Sequence, residues 1–263
     1  MEFIEKRLDG NLLVDLSETE VKNEKIETKG KGEKNVNNNK KSRDVINTIV
    51  NSNKLTEAFK LRGPSCGVIV IDNFYNNAQN TRDYILTQEF SVKGNYPGQR
   101  TVSYANEHLK EIIQKYVQPF GGKITEFPIP DENDKNKDKN AIYNGAFQYT
   151  TSKERSWIHT DSWNNWAGVL YLTPDAPLSA GTAFYRFKNG EYSEEDTKIL
   201  DTKAETDKCS QDLTKWEQVD KVGNIFNRLI LFNSKRFHMS MDYFGDTKEN
   251  GRLFQVFFFS TEH

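Results

Sequence analysis

The 263-residue chain holds four histidines: His108, His159, His238 and His263. His108 falls in an amphipathic stretch and His263 in a polar tail, so neither has neighbours that point to chemistry. His159 and His238 stand at the ends of apolar, strand-like segments, and Asp161 follows His159 by two positions. Residues i and i+2 of an extended segment point to the same side. His159 and Asp161 can therefore grip one metal ion, and His238, 79 positions later, could close the site from an opposing sheet. Two imidazoles and a carboxylate on one face of an octahedron suit divalent iron and leave three positions open for substrates and O2. An H-x-D pair alone is common in surface turns, so the elements around it matter.

Those elements change character along the chain. From Val21 to Arg43 the sequence is mostly Lys, Glu, Asn and Gly, with 8 basic and 3 acidic residues between Lys22 and Arg43. Such a segment has little to bury and reads as a solvated, disordered stretch. A short helix is expected over 44–61, with Asp44 as its N-cap. Residues 1–60 thus read as a polar extension and residues 61–263 as the folded domain. Val68–Ile71 reads as a buried strand, Asn76–Phe90 and Asn106–Val117 as amphipathic helices, and 131–140 as a polar loop. From Ala141 onward the pattern is β: Ala141–Thr150, Trp157–Thr160, Trp166–Leu172, Thr182–Phe187, Arg228–Phe232 and Arg252–Phe259. Leu253–Phe259 is apolar on both faces apart from Gln255, so it should lie between two layers. Glu191–Asp220, with 10 acidic and 4 basic residues, reads as a solvated excursion. Helices followed by a run of strands give a mainly β fold with flanking helices, a sandwich or jelly roll.

Composition sets outer limits. Lys+Arg total 36 and Asp+Glu 38, a balance that excludes a strongly basic nucleic-acid binder. Aromatic residues reach 12%, enough to build a core although mean hydropathy is −0.79. Cys66 and Cys209 are too few for a disulfide scaffold or a Cys-rich zinc module, and fit a reducing, cytoplasmic compartment. The charged first ten residues and the lack of any run of ~18 apolar residues argue against secretion and membrane spanning.

In chain order stand Tyr149, W-I-H-T-D at 157–161, V-L-Y-L-T at 169–173, A-G-T-A-F at 180–184, L-I-L-F-N-S at 229–234, His238 and Arg252. On these residues the chain, from about 65 to 263, resembles the 2-oxoglutarate/Fe(II)-dependent dioxygenase superfamily. It looks closest to the prolyl-4-hydroxylase-like branch as found in bacterial and marine-phage proteins. The resemblance implies a double-stranded β-helix, a jelly-roll, cupin-like barrel with iron at its mouth. It implies catalytic iron ligands at His159, Asp161 and His238. It puts Arg252 on the C5 carboxylate of 2-oxoglutarate, with Tyr149 beside it. The implied reaction is O2-dependent hydroxylation of an amino acid, peptide or related small molecule, coupled to decarboxylation of 2-oxoglutarate to succinate and CO2.

Physical chemistry supports the Arg252 role. A buried carboxylate needs a hydrogen-bonded partner, and guanidinium offers a planar fork that matches it. Two features depart from the branch. His238 and Arg252 are 14 positions apart, a wider spacing than is common, and Phe254 stands where many relatives carry Ser. Asp161 separates subclasses: related halogenases have Gly or Ala there, so a carboxylate favours hydroxylation or another C–H oxidation such as desaturation. Arg100, Trp163 and Tyr185 are candidate substrate contacts, an aromatic-walled site with a cation for an anionic group. Two other readings fit the same residues: a cupin-like metalloenzyme that does not use 2-oxoglutarate, and a non-enzymatic jelly-roll binding module in which His159 and His238 are structural.

The N-terminal stretch has too little apolar surface to join the core. Removing residues 1–39 should leave melting temperature and Fe(II) affinity unchanged. A large drop in thermal stability would show that the segment is docked.

Overall fold

The computed structural model describes residues 6–8, 11–13, 66–131, 142–161, 163–188 and 209–262. The chain divides into two compact units, Met1–Asn51 and Ser52–His263. In the first, β1 (Lys6–Leu8) and β2 (Asn11–Leu13) pair antiparallel, Lys6 opposite Leu13. The stretch 21–43, the helix expected over 44–61, the loop 132–140 and residues 191–208 of the acidic excursion lie outside the described residues.

The second unit is a jelly roll, mainly antiparallel β, with two α-helices among the described residues. Its elements are β3 (Val68–Ile71), α1 (Ala78–Leu86), β4 (Gln99–Ser103), α2 (Glu107–Gly121), β5 (Ile124–Glu126), β6 (Ala146–Thr150), β7 (Trp166–Tyr171), β8 (Thr182–Phe187), β9 (Trp216–Val222), β10 (Leu229–Asn233), β11 (Phe237–Ser240) and β12 (Arg252–Thr261). The larger sheet runs β3-β10-β7-β12-β6-β4, with β5 on the far end of β12; the smaller runs β11-β8-β9.

Strand β12 shows how the sequence builds this. Its alternate residues Leu253, Phe257 and Phe259 join the cluster beneath the helices, with Leu109, Ile113 and Val117 of α2 and Ile85 of α1. Phe254 and Val256 face the other way, toward the smaller sheet. Both faces are buried, as the unbroken apolar run requires. α2 starts at Asn106, whose side chain accepts from Leu109 N at 2.9 Å, and continues past the expected end to Gly121. Pro119 is tolerated so near the end because only one backbone bond is lost; Gly122, at φ 76°, then turns the chain. Among the described residues, no helix is long and apolar enough to cross a membrane.

In this second unit four of the described strands were not legible: β4, β5, β9 and β11. β9 corrects the reading of Glu191–Asp220 as solvated throughout, because its last part pairs with β8 at the edge of the smaller sheet. Residues Glu217 to Lys221 of this edge strand are all exposed, while Trp216 is buried, stacked on Phe187 at 4.1 Å. Trp157–Thr160 is also not a strand. It makes one bridge, His159 to His238, and the amides on either side turn elsewhere: Ile158 N to Ser210 O and Asp161 N to Ser234 O.

Phe257, fully buried where β12 meets the helices, is the natural probe of this core. Phe257→Ala should cost ~3–5 kcal/mol in urea unfolding. A loss below ~1 kcal/mol would mean that the helices do not pack on β12 as described.

Candidate metal centre

His159 and His238 face each other as an antiparallel backbone pair. His159 N donates to His238 O at 3.0 Å and His238 N to His159 O at 2.9 Å. Directly opposed residues of such a pair project to the same side of the ladder, so the two imidazoles lie together, with ring centroids 4.4 Å apart. The second histidine therefore comes from the adjacent segment of the smaller sheet's side, which corrects the expectation of an opposing sheet. Asp161, two residues past His159, brings its carboxylate to the same point; its Oδ2 lies 3.3 Å from His238 Nε2. One ligand atom from each of the three lies within 4.8 Å of the others, and among the described residues no other such group occurs.

Each imidazole is aimed by its own backbone. His159 Nδ1 lies 3.0 Å from Trp157 O, and His238 Nδ1 2.9 Å from Arg236 O. A carbonyl oxygen only accepts, so both Nδ1 atoms carry a proton and both Nε2 atoms point at the shared space, where His238 Nε2 meets the Asp161 carboxylate. This is the tautomer that a metal needs, fixed by the outer hydrogen bond. Burial, followed by the neighbouring His238, holds the His159 imidazole below its ordinary pKa against the pull of Asp161. Burial pushes the Asp161 carboxyl up, but the hydrogen bond with His238 and the charges of His238, His159 and Arg100 outweigh it and hold its pKa below the ordinary value. The arrangement is a neutral His159 and an ionised carboxylate, ready for a cation.

A cavity of about 340 Å³ opens between the two sheets at this point. Ala167 and Val169 of β7, Phe232 of β10, and Val256 and Phe258 of β12 give it apolar walls. Arg100, Trp157 and Trp163 also line it; Trp163 is 64% exposed and rests on Phe258.

Arg252 lies behind this wall. It is 0% exposed, its Nε donates to Ala180 O at 3.0 Å, and Nη1 and Nη2 are buried without a partner. Phe254 connects it to the cavity, lining the cavity and placing its ring 4.3 Å from the guanidinium carbon. Thr150, opposite Arg252 in the sheet, also has a buried, unpartnered Oγ1. The Tyr171 hydroxyl, 2.8 Å from Thr182 Oγ1, belongs to the same interior face, with its ring centroid 5.3 Å from the Arg252 carbon. Burial raises the Tyr171 pKa, so the hydroxyl stays neutral.

Two expected site residues are not brought in. Tyr149 points to the opposite face of β6 from Thr150 and packs its ring edge-on against Phe90 at 5.0 Å, under the helices. Tyr185 lies on the outer face of β8 among Ile158, Trp216 and Phe237, and its hydroxyl donates to Met241 Sδ at 3.2 Å. Both corrections have one cause: neighbouring strand residues alternate faces, so a one-residue error in choosing the polar group inverts its side. Thr150, Tyr171 and Gln148 were legible only through that alternation. His108 is exposed on α2, and His263 lies outside the described residues.

The family described as "Family of unknown function (DUF6445)" matches residues 57–259. No curated protein matches the chain. Among solved structures, the chain is similar to HygX from Streptomyces hygroscopicus with nickel, 2-oxoglutarate and hygromycin B bound, at 11% identity over 74% of this chain and 83% of that one, with a TM-score of 0.46. It is similar to a Trichoplax adhaerens prolyl hydroxylase in complex with a hypoxia-inducible-factor peptide, at 12% identity over 74% and 84% of the two chains and a TM-score of 0.42. A Pseudomonas putida prolyl-4-hydroxylase gives 12% identity over 76% and 95%, with a TM-score of 0.34.

Changes to groups that merely orient ligands cost ~10–100-fold in metal affinity, so loss of a ligand itself should cost more. His159→Ala, Asp161→Ala and His238→Ala should each weaken Fe(II) binding by over ~100-fold in anaerobic calorimetry, with melting temperature recorded in parallel. Normal affinity in all three would remove the metal centre.

Proposed function

The chain belongs to the DUF6445 family, and we propose that it is an Fe(II)- and 2-oxoglutarate-dependent oxygenase that hydroxylates a small molecule or peptide. The observation that carries the reading is Arg252. A fully buried guanidinium with two unpartnered nitrogens, beside an unpartnered Thr150 hydroxyl, is costly unless an anion completes it. A carboxylate reaching past Phe254 would satisfy all three atoms. The far carboxylate of 2-oxoglutarate, with its other end at the metal, fits that requirement.

The donor set fits the metal. Two imidazole Nε2 atoms and one carboxylate, with no thiolate, suit divalent iron with open positions. When bound, iron and 2-oxoglutarate supply O2 activation coupled to decarboxylation to succinate and CO2. The chain's own residues then do the rest. His159 and His238 present Nε2 because Trp157 O and Arg236 O hold their Nδ1 protons. Asp161 supplies the third ligand and so fills the position that a halide would need, which supports hydroxylation as the reaction. Arg252, Thr150 and Tyr171 receive the cosubstrate's far end. The apolar walls keep bulk water from the reacting centre.

Residues 61–263 carry this function, with 1–60 as an extension. The free thiols of Cys66 and Cys209 fit a reducing, cytoplasmic setting. A cupin-like enzyme without 2-oxoglutarate, or a binding module with structural histidines, would leave Arg252 without an occupant.

Removing the partner of a buried charge costs ~3–5 kcal/mol, or roughly two to three powers of ten in affinity. Arg252→Ala should raise the 2-oxoglutarate dissociation constant of the Fe(II) protein by that factor and leave iron affinity alone. Arg252→Lys should recover only part, because an ammonium lacks the planar fork. An unchanged dissociation constant in folded Arg252→Ala would favour the cupin-like reading.

A further inference from the structure

A second arginine lines the cavity. Arg100, on β4, is 5% exposed. Its Nε and Nη2 both donate to Gln148 Oε1, and Gln148 in turn donates from Nε2 to Pro97 O. The guanidinium carbon sits 3.7 Å from the Tyr96 ring centroid and 5.1 Å from that of Tyr143, a cation held against aromatic faces. The loop that carries Tyr96 is fixed at Gly98, whose φ of 79° brings it against Tyr149 O. The guanidinium is therefore clamped on one edge and one face. The hydrogen bonds of Arg100 run from Nε and Nη2, which leaves Nη1 without one among the described residues, and Arg100 lines the same cavity as His159, Asp161 and His238.

Charge then decides what belongs there. Arg100 and Asp161 are the only Lys, Arg, Asp or Glu side chains lining the cavity among the described residues. On the proposed function, the two positive charges of iron and the one of Arg252 are balanced by Asp161 and the dianionic cosubstrate. Arg100 is the surplus cation, and it stays protonated: burial pulls its pKa down only to about 10. A cavity of about 340 Å³, shared with a cosubstrate, leaves room for a compact molecule.

From this geometry we infer that Arg100 is the specificity residue of the site, and that the primary substrate is a small molecule bearing a carboxylate, held by the free edge of the guanidinium. The inference rests on the oxygenase reading and adds the substrate class to it. Tyr96, Tyr143 and Gln148 are positioning residues that hold the guanidinium flat and leave one edge available.

The test uses the full chain loaded with Fe(II) and 2-oxoglutarate. The probes are the common L-α-amino acids and simple mono- and dicarboxylic acids, each beside its primary amide. Anaerobic melting temperature and succinate release after O2 is admitted are both read. At least one acid should raise the melting temperature and speed succinate release, while its amide does neither. Arg100→Gln should raise the half-effective concentration of that acid by ~10–100-fold, the value of a charge-assisted hydrogen bond. It should leave the 2-oxoglutarate dissociation constant within about twofold, and Arg100→Lys should fall between. The inference is overturned if acid and amide act alike, if no acid acts, or if Arg100→Gln weakens 2-oxoglutarate instead. Should Arg100→Gln fail to fold, the acid–amide contrast in the unaltered protein decides alone. Failure of the unaltered protein to bind 2-oxoglutarate would strike the proposed function; binding without acid discrimination would strike only the Arg100 assignment.

Discussion

Two backbone hydrogen bonds between His159 and His238 set the geometry on which the site depends. They join a segment that is otherwise irregular to the edge of the smaller sheet, and they place two imidazoles on one side of one rung. The pair also explains Asp161, which reaches the same point because it follows His159 by two extended residues. The outer hydrogen bonds to Trp157 O and Arg236 O then choose the tautomer. A metal site normally takes its ligands from rigid elements. Here a single rung, anchored on either side by Ser210 O and Ser234 O, does the same work.

The rest of the interior is arranged around a deliberate deficit. A folded chain pairs nearly all its buried polar groups, and each exception costs ~1–3 kcal/mol. Three of the four unpartnered side-chain atoms among the described residues belong to Arg252 and Thr150, neighbours across one strand pair. The surrounding core, two-faced β12 above all, is what tolerates them. A ligand that pairs them would return that cost as binding energy and stabilise the fold by mass action. Arg100 differs: its clamp is complete on one edge and open on the other, which suits selection among substrates.

What could be read from the sequence followed periodicity. The H-x-D pair, the two-faced β12 and the α2 face were legible because spacing alone fixes which side a residue takes. His238 was legible as a candidate ligand but not as a backbone neighbour of His159, because a lone bridge leaves no pattern in composition. The Tyr149 choice failed by one residue: its aromatic ring attracted attention, while on the other face Gln148 holds Arg100 and Thr150 stands opposite Arg252. β4 and β9 are polar strands, QRTVS and WEQVDKV, whose pairing is set by the sheet edge they meet and not by hydrophobic alternation. Tyr185 and Tyr171 look alike in sequence, and only their opposite faces separate a satellite cluster from the interior.

The most direct measurement of the central claim is the anaerobic difference spectrum of the Fe(II)-loaded chain as 2-oxoglutarate is added. Chelation of the iron by the cosubstrate should produce a weak visible charge-transfer band that saturates at one 2-oxoglutarate per iron. Iron binding at the triad with no band at any 2-oxoglutarate concentration would contradict the account.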